Sequence, residues 1–187
     1  MNMNNQFIQL INWEEYPELC NTCAAFCVKY WQWHSGVEDF NGIDQRKSIL
    51  EVYSRIQFGN FADEKLNLSP KYSNPLMICR EYGGTYVYNM QDDFAASCLK
   101  TELEQAPEAD VLEKDLTIDA GKYAMFIVEM GGGGYHYILI YCKNCDEYYY
   151  HDPLNPSPLP LKSGMPTLWE DIDNNNYRYT GAGIILP

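Results

Sequence analysis

Cysteine, histidine and a carboxylate are the parts of an acyl-transfer centre, and this 187-residue chain offers them at Cys23, His136 and Asp152. Cys23 follows Asn21 and Thr22, whose side-chain oxygens suit a helix N-cap, and opens the almost wholly apolar run CAAFCVKYWQW. A thiol in the first turn of such a helix is favoured as thiolate by the macrodipole, and a neighbouring imidazolium lowers its pKa further. His136 and Asp152 lie sixteen residues apart in GGGGYHYILIYCKNCDEYYYHDP, on two strand-like runs flanking a turn. Centring the turn on Asn144 sets Tyr141 opposite Glu147, Ile138 opposite Tyr150 and His136 opposite Asp152. Direct cross-strand partners have Cβ atoms about 4.5–5.5 Å apart, within reach of an imidazole–carboxylate hydrogen bond. A slip of one residue would turn His136 toward His151 and throw Asp152 to the other face. In the stated register, Asp152 accepts from one ring nitrogen of His136, fixing the tautomer and leaving the other nitrogen to take a proton.

The elements that must hold these residues divide the chain in two. Helical patterns fill the front half: Cys23 to about Trp33, apolar all round as a buried central helix is; Ile43 to about Gln57, with apolar residues spaced by three and four; Pro75 to about Tyr82; and Asp92 to about Gln105. Asn74-Pro75 opens the third and Gly83-Gly84 ends it. After residue 118 the period becomes two, predicting strands over Tyr123–Met130, Tyr135–Tyr141, Glu147–Asp152 and Tyr177–Leu186, the last closing the sheet. The Pro-rich NPSPLPL (155–161) reads as an extended wall. Helices followed by an antiparallel sheet indicate an α+β fold, and the length suits a single domain over 1–187 with two lobes.

Other chemistries compete for the same residues. Cys20-x2-Cys23 and Cys142-x2-Cys145 together form a CxxC…CxxC set of the right ligand type for a zinc-stabilised interaction module. Its pairs are far wider apart than the usual ~15–20 residues, and the hairpin tip lies about 17–20 Å along the strand from His136. A Cys142–Cys145 disulfide is a further option. Cys98 is a second candidate nucleophile, in the arrangement of transglutaminase-like proteins, but it falls in mid-helix, where no macrodipole assists it. Gly131–Gly134 lead into a strand and carry no Gly-Lys-Ser/Thr, so they suit close approach of a substrate backbone better than a phosphate. His34 reads as a C-terminal cap residue of the first helix.

Taken together, four segments resemble the papain-like cysteine peptidases, and within them the bacterial branch of bacteriocin-leader peptidase domains and related effector proteases. TCAAFCVKYW (22–31) is similar to the nucleophile segment, and SNPLMICREYGG (73–84) to a short helix before a glycine. AGKYAMFIVEMGGGGYHYILIY (120–141) and YYYHDPL (148–154) are similar to the strands that carry its histidine and aspartate. The resemblance implies a papain-like fold, with a central nucleophile helix packed on a C-terminal antiparallel sheet. It implies a Cys-His-Asp triad in which Cys23 attacks, His136 carries the proton and Asp152 orients His136. The expected substrate is a peptide or protein, and no metal or organic cofactor is required. Three features depart from the family: Glu18 and Pro17 stand where a Gln donates to the oxyanion, Ala24 follows the cysteine, and Tyr135 precedes the histidine. An ionised Glu cannot donate, so a catalytically inactive domain that binds a peptide in the same cleft is the alternative.

Composition narrows the partners. With 13 basic and 26 acidic residues the formal charge is −13, which repels phosphate backbones and anionic membranes and suits a neutral or basic peptide. The N-terminus shows no basic and apolar secretory pattern, no run is long enough to span a bilayer, and seven cysteines make no even disulfide framework. The expected setting is a cytoplasm, or delivery into another cell without a cleaved signal.

Overall fold

The computed structural model describes residues 22–39, 44–57, 73–89, 109–131, 134–144, 147–161 and 177–187. Among the described residues three helices, α1 (Cys23–His34), α2 (Gln45–Ile56) and α3 (Pro75–Tyr82), accompany a seven-stranded sheet. Its strands are β1 (Thr85–Tyr88), β2 (Asp110–Glu113), β3 (Tyr123–Met130), β4 (Tyr135–Asn144), β5 (Glu147–Asp152), β6 (Asn155–Leu161) and β7 (Tyr177–Leu186), in the order β2-β1-β7-β3-β4-β5-β6. The fold is α+β. Among the described residues no helix is long and apolar enough to cross a membrane.

The near-unbroken apolar runs of β3 and β4 follow from burial on both faces. Tyr123, Met125, Ile127, Tyr137 and Leu139 join one core with the helices, whereas Ala124, Phe126, Val128, Ile138, Ile140 and Cys142 join a second core on the other face. In α1, Ala24, Ala25, Phe26, Cys27, Val28, Tyr30, Trp31 and Trp33 are all buried, because the helix lies between β4 and α2. That removes the amphipathic stripe expected of a surface helix. α2 packs through Ile49, Val52 and Ile56, and the Asp44 side chain accepts from the Lys47 N–H to cap it. Asn74 caps α3 as its sequence predicts, its Oδ1 accepting from the Leu76 and Met77 N–H groups at 2.9 and 3.3 Å.

The sheet departs from expectation in three ways. It is mixed, since β1 and β2 are parallel and both precede residue 118. β1 is too short for periodicity to reveal, and the mostly exposed DVLE of β2 is a strand only through its pairing with β1. Residues 90–108 between them, which include the helix expected over about 92–105 and Cys98, lie outside the described residues. β7 does not close the sheet but runs through its middle, antiparallel to both β1 and β3. β6 is an edge strand on β5, a place that tolerates its three prolines.

The β4–β5 register is the third departure. Ile140 pairs with Tyr150 and Leu139 with His151, two residues from the expected alignment, because pairing begins at Asn144–Glu147 and a bulge follows before Cys142–Tyr148. A shift of two preserves the faces, so His136 and Asp152 become diagonal neighbours on one side instead of direct partners.

Candidate active site

Cys23 is the first residue of α1, His136 the second of β4 and Asp152 the last of β5. Alternation assigns His136 to the face away from α1, but it lies beside the strand's end, where its ring comes within hydrogen-bonding reach of the Cys23 thiol. The diagonal placement does not break the other contact: His136 Nε2 lies 2.7 Å from Asp152 Oδ1. Nε2 therefore faces the carboxylate, and Nδ1 is the nitrogen left for the thiol proton. The three side chains form one chain of polar contacts, with His136 2% and Asp152 7% exposed and Cys23 half-buried.

The α1 terminus supplies its own donors to the sulfur. The Thr22 side chain does not cap the helix, contrary to expectation; its carbonyl instead accepts from the Phe26 N–H at 3.0 Å. First-turn N–H groups have no acceptor within a helix, and here the Ala24 N–H, with that of Tyr137 on β4, points at the Cys23 sulfur. The Tyr137 carbonyl also accepts from the Cys27 thiol at 3.5 Å, so one residue of β4 contacts two cysteines one helical turn apart.

The pKa values follow from these contacts. Burial pushes the Cys23 thiol up, but the hydrogen bond and charge of His136 and the two N–H groups outweigh it and hold the thiol below its ordinary value. Burial likewise works against a His136 proton, yet the bond to Asp152 and the contact with Cys23 raise the imidazole to about 9. Burial raises Asp152, whereas His136, the Leu154 N–H and the Tyr177 hydroxyl lower it, for a net depression. Each partner favours the charged form of the next, thiolate, imidazolium and carboxylate in sequence. Cys27, without such a cation, is driven well up by burial and by the Cys23 and Asp152 charges, so it stays a thiol.

The remaining candidates separate from this site. His34 ends α1 and bonds through Nδ1 to the Tyr123 hydroxyl, with both Tyr123 and Tyr141 edge-on to its ring; Ser35 is the C-cap. His151 lies against Tyr30 with ring centroids 3.5 Å apart and the rings tilted by 30°, and burial holds it neutral down to about pH 3. A zinc site uniting Cys23 with Cys142 is contradicted. Cys23 packs with the helical core, whereas Cys142 lies in the opposite core with its thiol donating to the Asn144 carbonyl at 3.1 Å. Among the described residues no group of three potential ligands comes together. Cys20, Cys145, Pro17 and Glu18 lie outside the described residues. The sequence reading missed Tyr177 and the Leu154 N–H, both of which bond to Asp152 at 2.9 Å. Tyr177 was legible only as the first residue of a predicted strand, in a chain with sixteen tyrosines to choose from.

No family model matches the chain, and no curated protein matches it. Among solved structures it is similar to the crystal structure of the Pseudomonas avirulence protein AvrPphB, at 14% identity over 89% of this chain and 90% of that one, with a TM-score of 0.46. So loose a superposition carries no argument about chemistry, which is left to the side-chain geometry above.

Proposed function

We propose that the chain is a single papain-like domain that hydrolyses peptide or amide bonds through Cys23, His136 and Asp152. The observation that carries this reading is the contact series from the Cys23 thiol through His136 to Asp152, with thiol and imidazole shifted in the complementary directions of an ion pair. The Cys23 thiolate attacks the substrate carbonyl carbon, and the carbonyl π electrons move onto oxygen. The backbone N–H of Cys23, in the first turn of α1, is the donor expected for that oxyanion. As the intermediate collapses, the C–N bond breaks and His136 gives its proton to the departing amine. Water then attacks the thioester while His136 takes its proton; the C–S bond breaks, acid is released and the thiolate–imidazolium pair returns. No step requires a metal or organic cofactor.

The positions of Glu18 and Pro17 favour a second reading, a domain that binds a peptide without cutting it, because loss of one oxyanion donor costs roughly 10²–10³ in rate. A mixture of peptides from denatured proteins distinguishes the two by mass spectrometry. A hydrolase generates new peptide termini, and alkylating Cys23 with iodoacetamide stops their appearance. If no termini appear although Cys23 alkylates readily, the domain binds without cutting.

A further inference from the structure

Asp152 accepts three hydrogen bonds, and they divide unequally between its two oxygens. His136 Nε2 and the Leu154 N–H meet Oδ1 at 2.7 and 2.9 Å, whereas Oδ2 receives the Tyr177 hydroxyl at 2.9 Å. Tyr177 opens β7, and its ring centroid lies 5.6 Å from that of His136 at 44°. Two features of β7 put it there. Between Phe126–Gly183 and Val128–Tyr179 the strand carries extra residues, and Gly181 takes φ 77° within that bulge. Thr180 then donates its hydroxyl to the Ile127 carbonyl at 2.8 Å, within the interrupted stretch of the ladder. Beyond the bulge the pairing resumes from Val128–Tyr179, level with His136, to Met130–Tyr177, two residues further toward the end of the sheet from which β4 starts.

We infer that Tyr177 is a positioning residue for the proposed centre, its hydroxyl clamping Oδ2 so that Oδ1 stays aimed at His136 while its ring flanks the imidazole. The inference rests on the hydrolase reading. A carboxylate held at one oxygen can turn about its Cβ–Cγ bond, and each turn away weakens the bond that keeps His136 charged. A weaker imidazolium in turn supports the Cys23 thiolate less. Tyr177 thus acts on the thiol at one remove, through Asp152 and His136. The titratable groups around Asp152 are His136 on β4, Tyr177 on β7, Cys23 and Cys27 on α1, and its neighbour His151, with Tyr150 acting on Tyr177. Burial and the Asp152 charge push the Tyr177 phenol well above its ordinary value, so it remains a donor at neutral pH.

The test is the pH dependence of Cys23 alkylation by iodoacetamide in wild type, Tyr177→Phe, Asp152→Ala, the double variant and His136→Ala. Tyr177→Phe keeps the ring and deletes only the donor. It is expected to raise the apparent pKa of Cys23 by about 0.5–1 unit and to have no further effect once Asp152 is Ala. An unchanged pKa in Tyr177→Phe overturns the inference, as does an equal shift in both backgrounds, which marks general loosening of β7. If wild-type Cys23 already titrates as a free thiol and is indifferent to His136→Ala, the hydrolase reading falls and the inference with it. If wild type shows the pair and Tyr177→Phe is silent, only the inference fails.

Discussion

In Asp152→Ala, the His136 imidazole falls from about 9 to below its ordinary value near 6.5, and any hydrolysis slows by roughly 10²–10⁴-fold. Burial is the largest influence on His136 and opposes its proton; the Asp152 bond is the largest influence that favours it. Removing the carboxylate leaves burial opposed only by the Cys23 contact. The change reaches stability as well. Folding raises the His136 pKa, so its proton stabilises the native state fully below pH ~6.5, and that contribution is lost as the pH rises through about 9. Cys23 behaves in the opposite sense: its depressed pKa contributes above the ordinary thiol value and loses that contribution as pH falls through the folded value. Because the chain has three histidines, ring-resonance NMR titration resolves them: His136 near 9, His34 lowered by burial and His151 near 3. A resonance near 9 that survives Asp152→Ala contradicts the assignment.

Gly183→Ala is expected to destabilise the fold by about 2–4 kcal/mol, measured as a lower urea midpoint at unchanged slope. Gly183 lies in central strand β7, paired to Val87 on one side and Phe126 on the other. A Cβ there would come within 2.6 Å of the Met125 carbonyl oxygen and 2.6 Å of Leu116 Cδ2. The leucine methyl can swing aside, but the carbonyl belongs to β3 and moves only with the sheet. Packing as dense as a protein interior leaves no slack for either. Leu116 belongs to the second core, so the disturbance spreads under β3 and β4. A stability equal to wild type would mean that β3 and β7 do not approach this closely.

How much of this was legible beforehand depended on whether a signal was local. The extent of α1, the Asn74 cap and the β3, β4 and β5 runs were legible, because capping residues and apolar periodicity are written in neighbouring positions. The proximity of His136 and Asp152 was legible only as a parity. The turn beyond Asn144 and the bulge before Cys142 moved the alignment by two, and the shared face survived because strands alternate with period two. Thr22 had the composition of a cap, but its conformation, φ −94° and ψ 17°, is not the extended one that presents a side chain to the first turn. β1, β2 and the central position of β7 depend on pairing between segments distant in the chain, which no local pattern encodes. Tyr177 belongs to the same class, reaching Asp152 across twenty-five residues of sequence and a bulge.

The central claim is that Cys23 and His136 form a thiolate–imidazolium pair. Its most direct test is iodoacetamide labelling of native wild type and His136→Ala across pH 5–9, with mass spectrometry locating the adduct. The account predicts that Cys23 labels first, with an apparent pKa well below the ~8.5 of a free thiol, and that His136→Ala slows labelling at pH 6 by roughly 10- to 100-fold. If Cys23 resists labelling, or titrates as an ordinary thiol whether or not His136 is present, the pair does not exist and the hydrolase reading is wrong.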